Sequence, residues 1–257
     1  MDRVEQPDAR LRRGVHSRTI MPTDVRYLVE TDESSGVVRV SGVLDASGIG
    51  TVRDALLGRL CDRPGPLVVD VTGLRATDPA RWDVFGAVRR AVLDWPAADL
   101  LLCDPSGAAR DVPAWPTLDG ALAALAATPL AAVLTTDLEP VVGAARQARQ
   151  LVGDGCDRWG VPELIEPGTI AVTEMVNNVV AHARTPMTVR LAPRDSALHV
   201  AVRDHSSRLP SFTGFAPLHT AGGRGLLLID TVSERWGTTP VPDGKVVWCV
   251  LRPEDRS

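Results

Sequence analysis

Short runs dense in valine and leucine alternate, through the first half of the chain, with stretches whose apolar residues recur every three or four positions. Val37-Val38-Arg39-Val40 and Leu67-Val68-Val69-Asp70-Val71 carry the β-branched enrichment of strands, and Leu100-Leu101-Leu102-Cys103 joins them by its apolar continuity. Residues 51–60 and 82–93 have helical spacing. This alternation, from Val25 to about Ala127, predicts a small α/β module. The interval 126–136, with Thr128-Pro129 in its middle, interrupts the pattern and marks a boundary. Its small apolar residues fit two halves that pack together, and fit equally a plain helix end followed by a turn.

Beyond the boundary, residues 138–159 and 170–182 are predicted as two long helices, after which the period falls to two. Thr188-Val189-Arg190-Leu191 and Leu198-His199-Val200-Ala201-Val202 read as strands. A glycine-rich loop, Ala221-Gly222-Gly223-Arg224-Gly225, opens another helix, and strands around Trp236 and over 246–251 close the series. Two helices, a strand pair, a loop with a helix and a second strand pair make an α+β unit, its helices layered on one face of a mainly antiparallel sheet. No internal repeat links the halves. The expected division is a flexible tail at 1–24, an α/β unit at 25–130 and an α+β unit at 131–257.

Composition narrows the function classes. The 257 residues, 44% hydrophobic and 23% charged, are those of a globular chain with room for two modest domains. Lys and Arg number 28 against 32 Asp and Glu, a net charge of −4 that gives no general attraction for nucleic acid or an anionic membrane. Any phosphate must therefore be held by local groups. The first 24 residues lack the apolar run of a signal peptide. The most apolar stretch, 120–134, contains Pro129 and falls short of the roughly 20 residues a spanning helix needs, so no membrane span is expected. Cys61, Cys103, Cys156 and Cys249 form no CxxC pair and have no histidine at ligand spacing; they read as buried reduced thiols, which implies a cytoplasmic setting. The six tryptophans are scattered, unlike the aromatic and basic interleaving of a single-strand nucleic-acid surface.

Three constellations carry candidate chemistry. Glu174 and Asn178 lie four apart on the second long helix and project from one face, presenting a carboxylate that can accept a proton beside an amide oxygen suited to magnesium. Asp204 ends a strand, where it can accept a hydrogen bond from a purine amine or cap an Asx turn. Gly223, Arg224 and Gly225 precede a helix, where backbone N–H groups and the helix dipole favour an anion. This loop is neither G-x-x-x-x-G-K-[ST] nor a G-x-G-x-x-G following a strand, so P-loop and Rossmann readings fail. Each signal is short and common by itself. Their order within some 80 residues is not.

Residues 133–253 resemble the GHKL ATP-binding fold of gyrase, histidine kinases and mismatch-repair MutL, and most of all the bacterial anti-sigma-factor serine kinases. Glu174-Met175-Val176-Asn177-Asn178 through Ala183 is similar to their N box, Val202-Arg203-Asp204 to the first glycine box and Gly223-Arg224-Gly225-Leu226 to the second. The resemblance implies ATP and Mg2+ as cofactors, Glu174 as general base, Asn178 as magnesium ligand, Asp204 as the adenine reader, Gly223 and Gly225 in the ATP lid and Arg224 as a phosphate partner. The family's Asp-x-Gly-x-Gly is here Asp204-His205-Ser206-Ser207-Arg208, so the turn beside the nucleotide must form without glycine. In the first half, Ser41-Gly42-Val43-Leu44-Asp45, the strand at 67–71 and Thr77-Asp78 are similar to the STAS fold of anti-sigma-factor antagonists. There the acceptor serine would fall at Pro79, and Thr77 stands before the acid rather than after it. The implied protein is an ATP-dependent serine/threonine kinase that regulates transcription by partner switching, with a sigma factor or STAS-type antagonist as partner, an internal contact between its halves, and a homodimer left open. The alternative is a nucleotide-binding adaptor or anti-sigma factor that acts by docking alone. A sensor histidine kinase is disfavoured because no helix before residue 133 carries a phosphoacceptor histidine.

Overall fold

The computed structural model describes residues 27–32, 36–63, 65–128, 132–209 and 224–253; the expected tail and the glycines Gly222 and Gly223 lie outside them. Two sheets organise the chain. In the first, β1 (Tyr27–Asp32) runs antiparallel to β2 (Val37–Leu44), and β2, β3 (Pro66–Asp70), β5 (Asp99–Cys103) and β6 (Ala114–Trp115) follow in parallel, with β4 (Leu74–Ala76) beside the far end of β2. Successive side chains leave a strand on opposite faces. Val69, Leu100 and Leu102 therefore meet α1 (Gly48–Asp62) and α2 (Asp83–Val92), through Leu56, Leu60, Phe85 and Val88. Val68 and Leu101 meet α3 (Leu118–Ala127) through Ala121, Leu122 and Leu125. Strands covered on both faces read as continuous apolar runs, which is why β3 and β5 do.

The second sheet has the order β10-β11-β9-β8-β7 and is antiparallel throughout. Its strands are β7 (Leu134–Leu138), β8 (Met187–Arg194), β9 (Ala197–Asp204), β10 (Arg235–Val241) and β11 (Gly244–Leu251). Helices α4 (Ala144–Trp159), α5 (Ile165–Asn178) and α6 (Arg224–Val232) cover one face, and Val152, Val172, Met175 and Val176 pack on Val189, Leu191, Val200, Val202 and Cys249. This is the α/β half and two-layer α+β sandwich that the periodicity implies. The helix expected over 138–159 is shorter. Leu138 ends β7 and the helix starts at Ala144, because Pro140 and the left-handed Gly143 (φ 106°) interrupt the run. The helix expected from 170 starts earlier, at Ile165, since Pro167 is tolerated in a first turn, and it passes into a π turn at Val179–Ala183.

The outer face of the second sheet is not given to water. Ala201, Val241 and Val246 belong to the hydrophobic core of the first half, and Trp248 packs against it. Arginines of the sheet reach the carboxyl ends of α1 and α2. Arg190 donates to the carbonyls of Leu60 (3.3 Å) and Asp62 (3.4 Å), and Arg194 to those of Leu93 (2.7 Å) and Ala98 (3.1 Å). Cations there satisfy orphan carbonyls and oppose the helix dipole. Arg235 pairs with Asp94 at 2.8 Å, and Arg203 joins Asp62 (2.9 Å) to Asp243 (2.7 Å). The contact thus runs through α1 and α2, while Ala126 and Ala127 at the boundary are the end of α3. Among the described residues no helix is long and apolar enough to cross a membrane.

Candidate functional site

A cavity of about 180 Å3 opens between α5, α6 and the helix-covered face of β9 and β11. Met175, Val179, Val202, Leu226 and Val247 form apolar walls; Asn178, Asp204, Ser206, Arg208 and Lys245 supply the polar atoms. Apolar walls with a few convergent polar groups are the usual make-up of a small-molecule site. Strand parity puts those groups there. Asp204 shares its face of β9 with Val200 and Val202, Lys245 shares its face of β11 with Val247 and Cys249, and the two residues are register partners.

Glu174 and Asn178 do project together, and α6 begins against them. A Cβ added to Gly225 would stand 2.7 Å from Glu174 Oε2 and 3.6 Å from Asn178 Oδ1, so the bare glycine leaves the Glu174 carboxylate its present place against the first turn of α6. Glu174 lies a turn before Asn178, beside the cavity rather than on its walls. The amide oxygen of Asn178, on the cavity wall, is a hard donor that fits a cation arriving on phosphates. Arg224 is the first residue of α6, and Gly223 lies outside the described residues.

Asp204 is 1% exposed and its carboxylate is already engaged. Lys245, itself 6% exposed, places Nζ 2.8 Å from both Oδ1 and Oδ2, and donates also to the carbonyl of Ser206 at 3.2 Å. Oδ1 accepts the backbone N–H of Ser206 at 2.8 Å, so the Asx turn and the cavity position belong to the same residue. The glycine-free turn forms in this way, and no residue from 205 to 208 has a positive φ. Lys245 is the functional candidate that sequence reasoning missed. Its signal was available, since Lys245 is the only lysine among the 28 Lys and Arg residues.

The remaining residues sort more simply. Exposed His182 borders the cavity, and His205 leaves it, its Nδ1 3.2 Å from Asp243. His199 is buried between the halves with Nδ1 3.0 Å from the carbonyl of Asp94. All four cysteines are buried and unpaired. Burial pushes the thiols of Cys61 and Cys156 up to about 11 and that of Cys249 higher still, so none is a thiolate at neutral pH. In the first half, Asp78 accepts the N–H of Ala80 at 2.9 Å and so caps a short 3-10 turn, Pro79–Trp82, that leads into α2. Pro79 is its first residue, where the missing N–H costs nothing. The Thr77 hydroxyl donates to the carbonyl of Leu44 at 3.3 Å.

Residues 138–251 match the family described as the histidine kinase-like ATPase domain. An uncharacterized protein of Streptomyces coelicolor is 37% identical over 82 residues, 30% of this chain and 78% of that protein. Among solved structures, the RsbU and RsbW domains of a Mycobacterium tuberculosis protein align at 18% identity with a TM-score of 0.37, over 47% of this chain and 32% of that one. The histidine kinase domain of a blue-light-activated histidine kinase from Erythrobacter litoralis aligns at 15% identity with a TM-score of 0.30, over 44% of this chain and 62% of that one. The chain therefore spans less than two thirds of each of these two structures.

Proposed function

We propose that the chain is an ATP-binding protein serine/threonine kinase of the anti-sigma-factor type, with residues 131–257 as the kinase domain and 25–130 as a fused STAS-like domain that lacks the usual acceptor hydroxyl. One observation carries the reading: Glu174 and Asn178 meet the first turn of α6 at Gly225, beside a cavity that holds Asp204 at its polar end. Val202 and Met175 would pack against the base, and Asn178 and the first turn of α6 would face the phosphates. Asn178 would hold magnesium through its amide oxygen, and the ion would supply charge neutralisation to the phosphates. Glu174 accepts the proton of the attacking hydroxyl while the γ-phosphoryl passes to that oxygen and ADP leaves.

The first half supports the STAS reading by its antiparallel β1–β2 pair followed by parallel strands and by the position of Pro79 at the start of the turn into α2. Because α1 and α2 lie on the face of the second sheet opposite the cavity, the acceptor hydroxyl comes from another protein, a STAS-type antagonist or a sigma-factor partner. Titration calorimetry of the full chain with ATP and Mg2+ tests the reading. Binding is expected, weakened by Asn178→Ala and by Asp204→Asn, while Glu174→Gln retains binding and loses about 10²-fold or more in phosphoryl transfer. No heat and no thermal stabilisation at millimolar nucleotide refutes it. Binding without transfer to any STAS-type protein favours the docking adaptor instead.

A further inference from the structure

Lys245 stands out on usage as well as position. Every other cationic side chain of the Lys and Arg set is arginine, yet the one group buried against Asp204 is an ammonium, a compact point charge with three rotatable donors in place of a planar fork. The two oxygens of one carboxylate subtend a smaller angle at Nζ than two N–H bonds do, so a single N–H serves both Asp204 oxygens. A second goes to the carbonyl of Ser206. The third has no protein partner among the described residues, and Lys245 lines the cavity. Oδ1 of Asp204 is filled by Ser206 and Lys245, whereas Oδ2 meets only Lys245 and keeps acceptor capacity.

We propose that Lys245 and Asp204 together form a two-point purine reader, with Lys245 as the residue that admits 6-oxo as well as 6-amino bases; this rests on the nucleotide-binding reading above. The pair offers one donor beside one acceptor. Against adenine, Asp204 accepts from the exocyclic amine and Lys245 donates to the adjacent ring nitrogen. Against guanine, Lys245 donates to the 6-oxygen and Asp204 accepts from the adjacent ring N–H. A carboxylate alone would face the guanine oxygen acceptor to acceptor, a buried mismatch with no compensating bond. Lys245 removes that mismatch, so discrimination between the two purines is weak.

A chain with a single lysine makes the test direct. Full-length protein grown with 13Cε-lysine gives one ε-methylene resonance, followed by NMR during titration with ATP, GTP and ribose 5-triphosphate, alongside calorimetry. The resonance is expected to shift with both purine nucleotides and not with the base-free triphosphate, and GTP is expected to bind within about tenfold of ATP. Lys245→Met, checked for folding by circular dichroism, is expected to weaken GTP at least about tenfold more than ATP, the scale of one charge-assisted hydrogen bond. ATP binding with the lysine resonance unmoved overturns the proposal and leaves the ATPase reading intact, as does GTP binding more than tenfold weaker than ATP in the unmodified chain. Failure of every nucleotide to bind removes both.

Discussion

Replacing Gly244 with alanine is expected to open the sheet beside the cavity. Gly244 is the first residue of β11, at φ 151°, and an added Cβ would lie 1.9 Å from the carbonyl oxygen of Asp204 and 2.8 Å from His205 Cα. Both neighbours are backbone, so no side chain can swing aside. Ordinary contact begins near 3.4 Å, which requires the start of β11 to retreat from β9 by roughly 1.5 Å. A 2.8 Å contact between Lys245 and Asp204 does not survive that displacement. Stripping a buried ion of its partner costs about 3–5 kcal/mol, and the unfavourable φ adds about 1–3 kcal/mol. Allowing for partial relaxation, the variant should lose about 3 kcal/mol or more, which lowers Tm by roughly 6–12 °C in a chain of this size. Urea and thermal unfolding of the full chain, read by circular dichroism, measure it. Gly153→Ala in α4 is the control: its added Cβ meets nothing within 4 Å, so it should be neutral or stabilising by up to about 1 kcal/mol. A Gly244→Ala protein within 2 °C of wild type, to take a threshold well inside about 1 kcal/mol, would refute the reasoning.

Three further outcomes are expected. Gly225→Ala should leave stability unchanged or slightly raised, because its clash is with the free end of Glu174, yet displace that carboxylate by roughly 0.7 Å; nucleotide affinity should hold while single-turnover transfer falls about 10- to 100-fold. Burial, against the pull of the Asp94 carbonyl and with Arg194 and Arg235 adding to it, holds the His199 imidazole below its ordinary 6.5. The unfolded chain therefore takes up the proton first, stability is full above pH 6.5 and declines as the pH falls below it, and His199→Asn, which keeps a donor for Asp94, should flatten that part of a Tm-against-pH curve. Deleting residues 1–130 should bare Ala201, Val241, Val246 and Trp248 on the outer face of the second sheet, so the fragment is expected to self-associate in sedimentation velocity where the full chain does not gain mass with concentration over the same range.

The elements that the sequence made legible are those whose burial leaves a simple imprint. β3, β5 and β9 are covered on both faces, β3 and β5 appearing as unbroken apolar runs and β9 as one interrupted by His199, while α1 and α2 show their spacing plainly. β7 was hidden because Leu134-Thr135-Thr136-Asp137-Leu138 is a short edge strand with alternate exposure, and its last residue looks like the first apolar position of α4. α3 was hidden because its run of alanine and leucine has almost no periodicity. In the site, Glu174 and Asn178 were readable because their relation is local, one turn of one helix. The Asp204–Lys245 pair was not, since 41 positions separate the two and only the register of β9 on β11 joins them. The covered outer face could have been foreseen: Leu198 to Val202 and Val246 to Val250 are too apolar for strands with a wet side.

That double coverage has a consequence for how the sheet finds its alignment. In a half-exposed strand a slip of one residue turns the apolar set toward water, and the penalty fixes the pairing. β9 and β11 are mostly buried on both sides and carry apolar residues on each, so their hydrophobic pattern alone only weakly distinguishes the native register from its neighbour. Charge supplies the distinction. A slip by one would carry Asp204 away from Lys245 and toward the helices' carboxyl ends, and would turn Arg203 from Asp62 and Asp243 to the side facing α5 and α6. Adjacent residues of opposite sign, each answered only on its own side of the sheet, act as an alignment key, and the correct pairing of the strands is the one in which both fit.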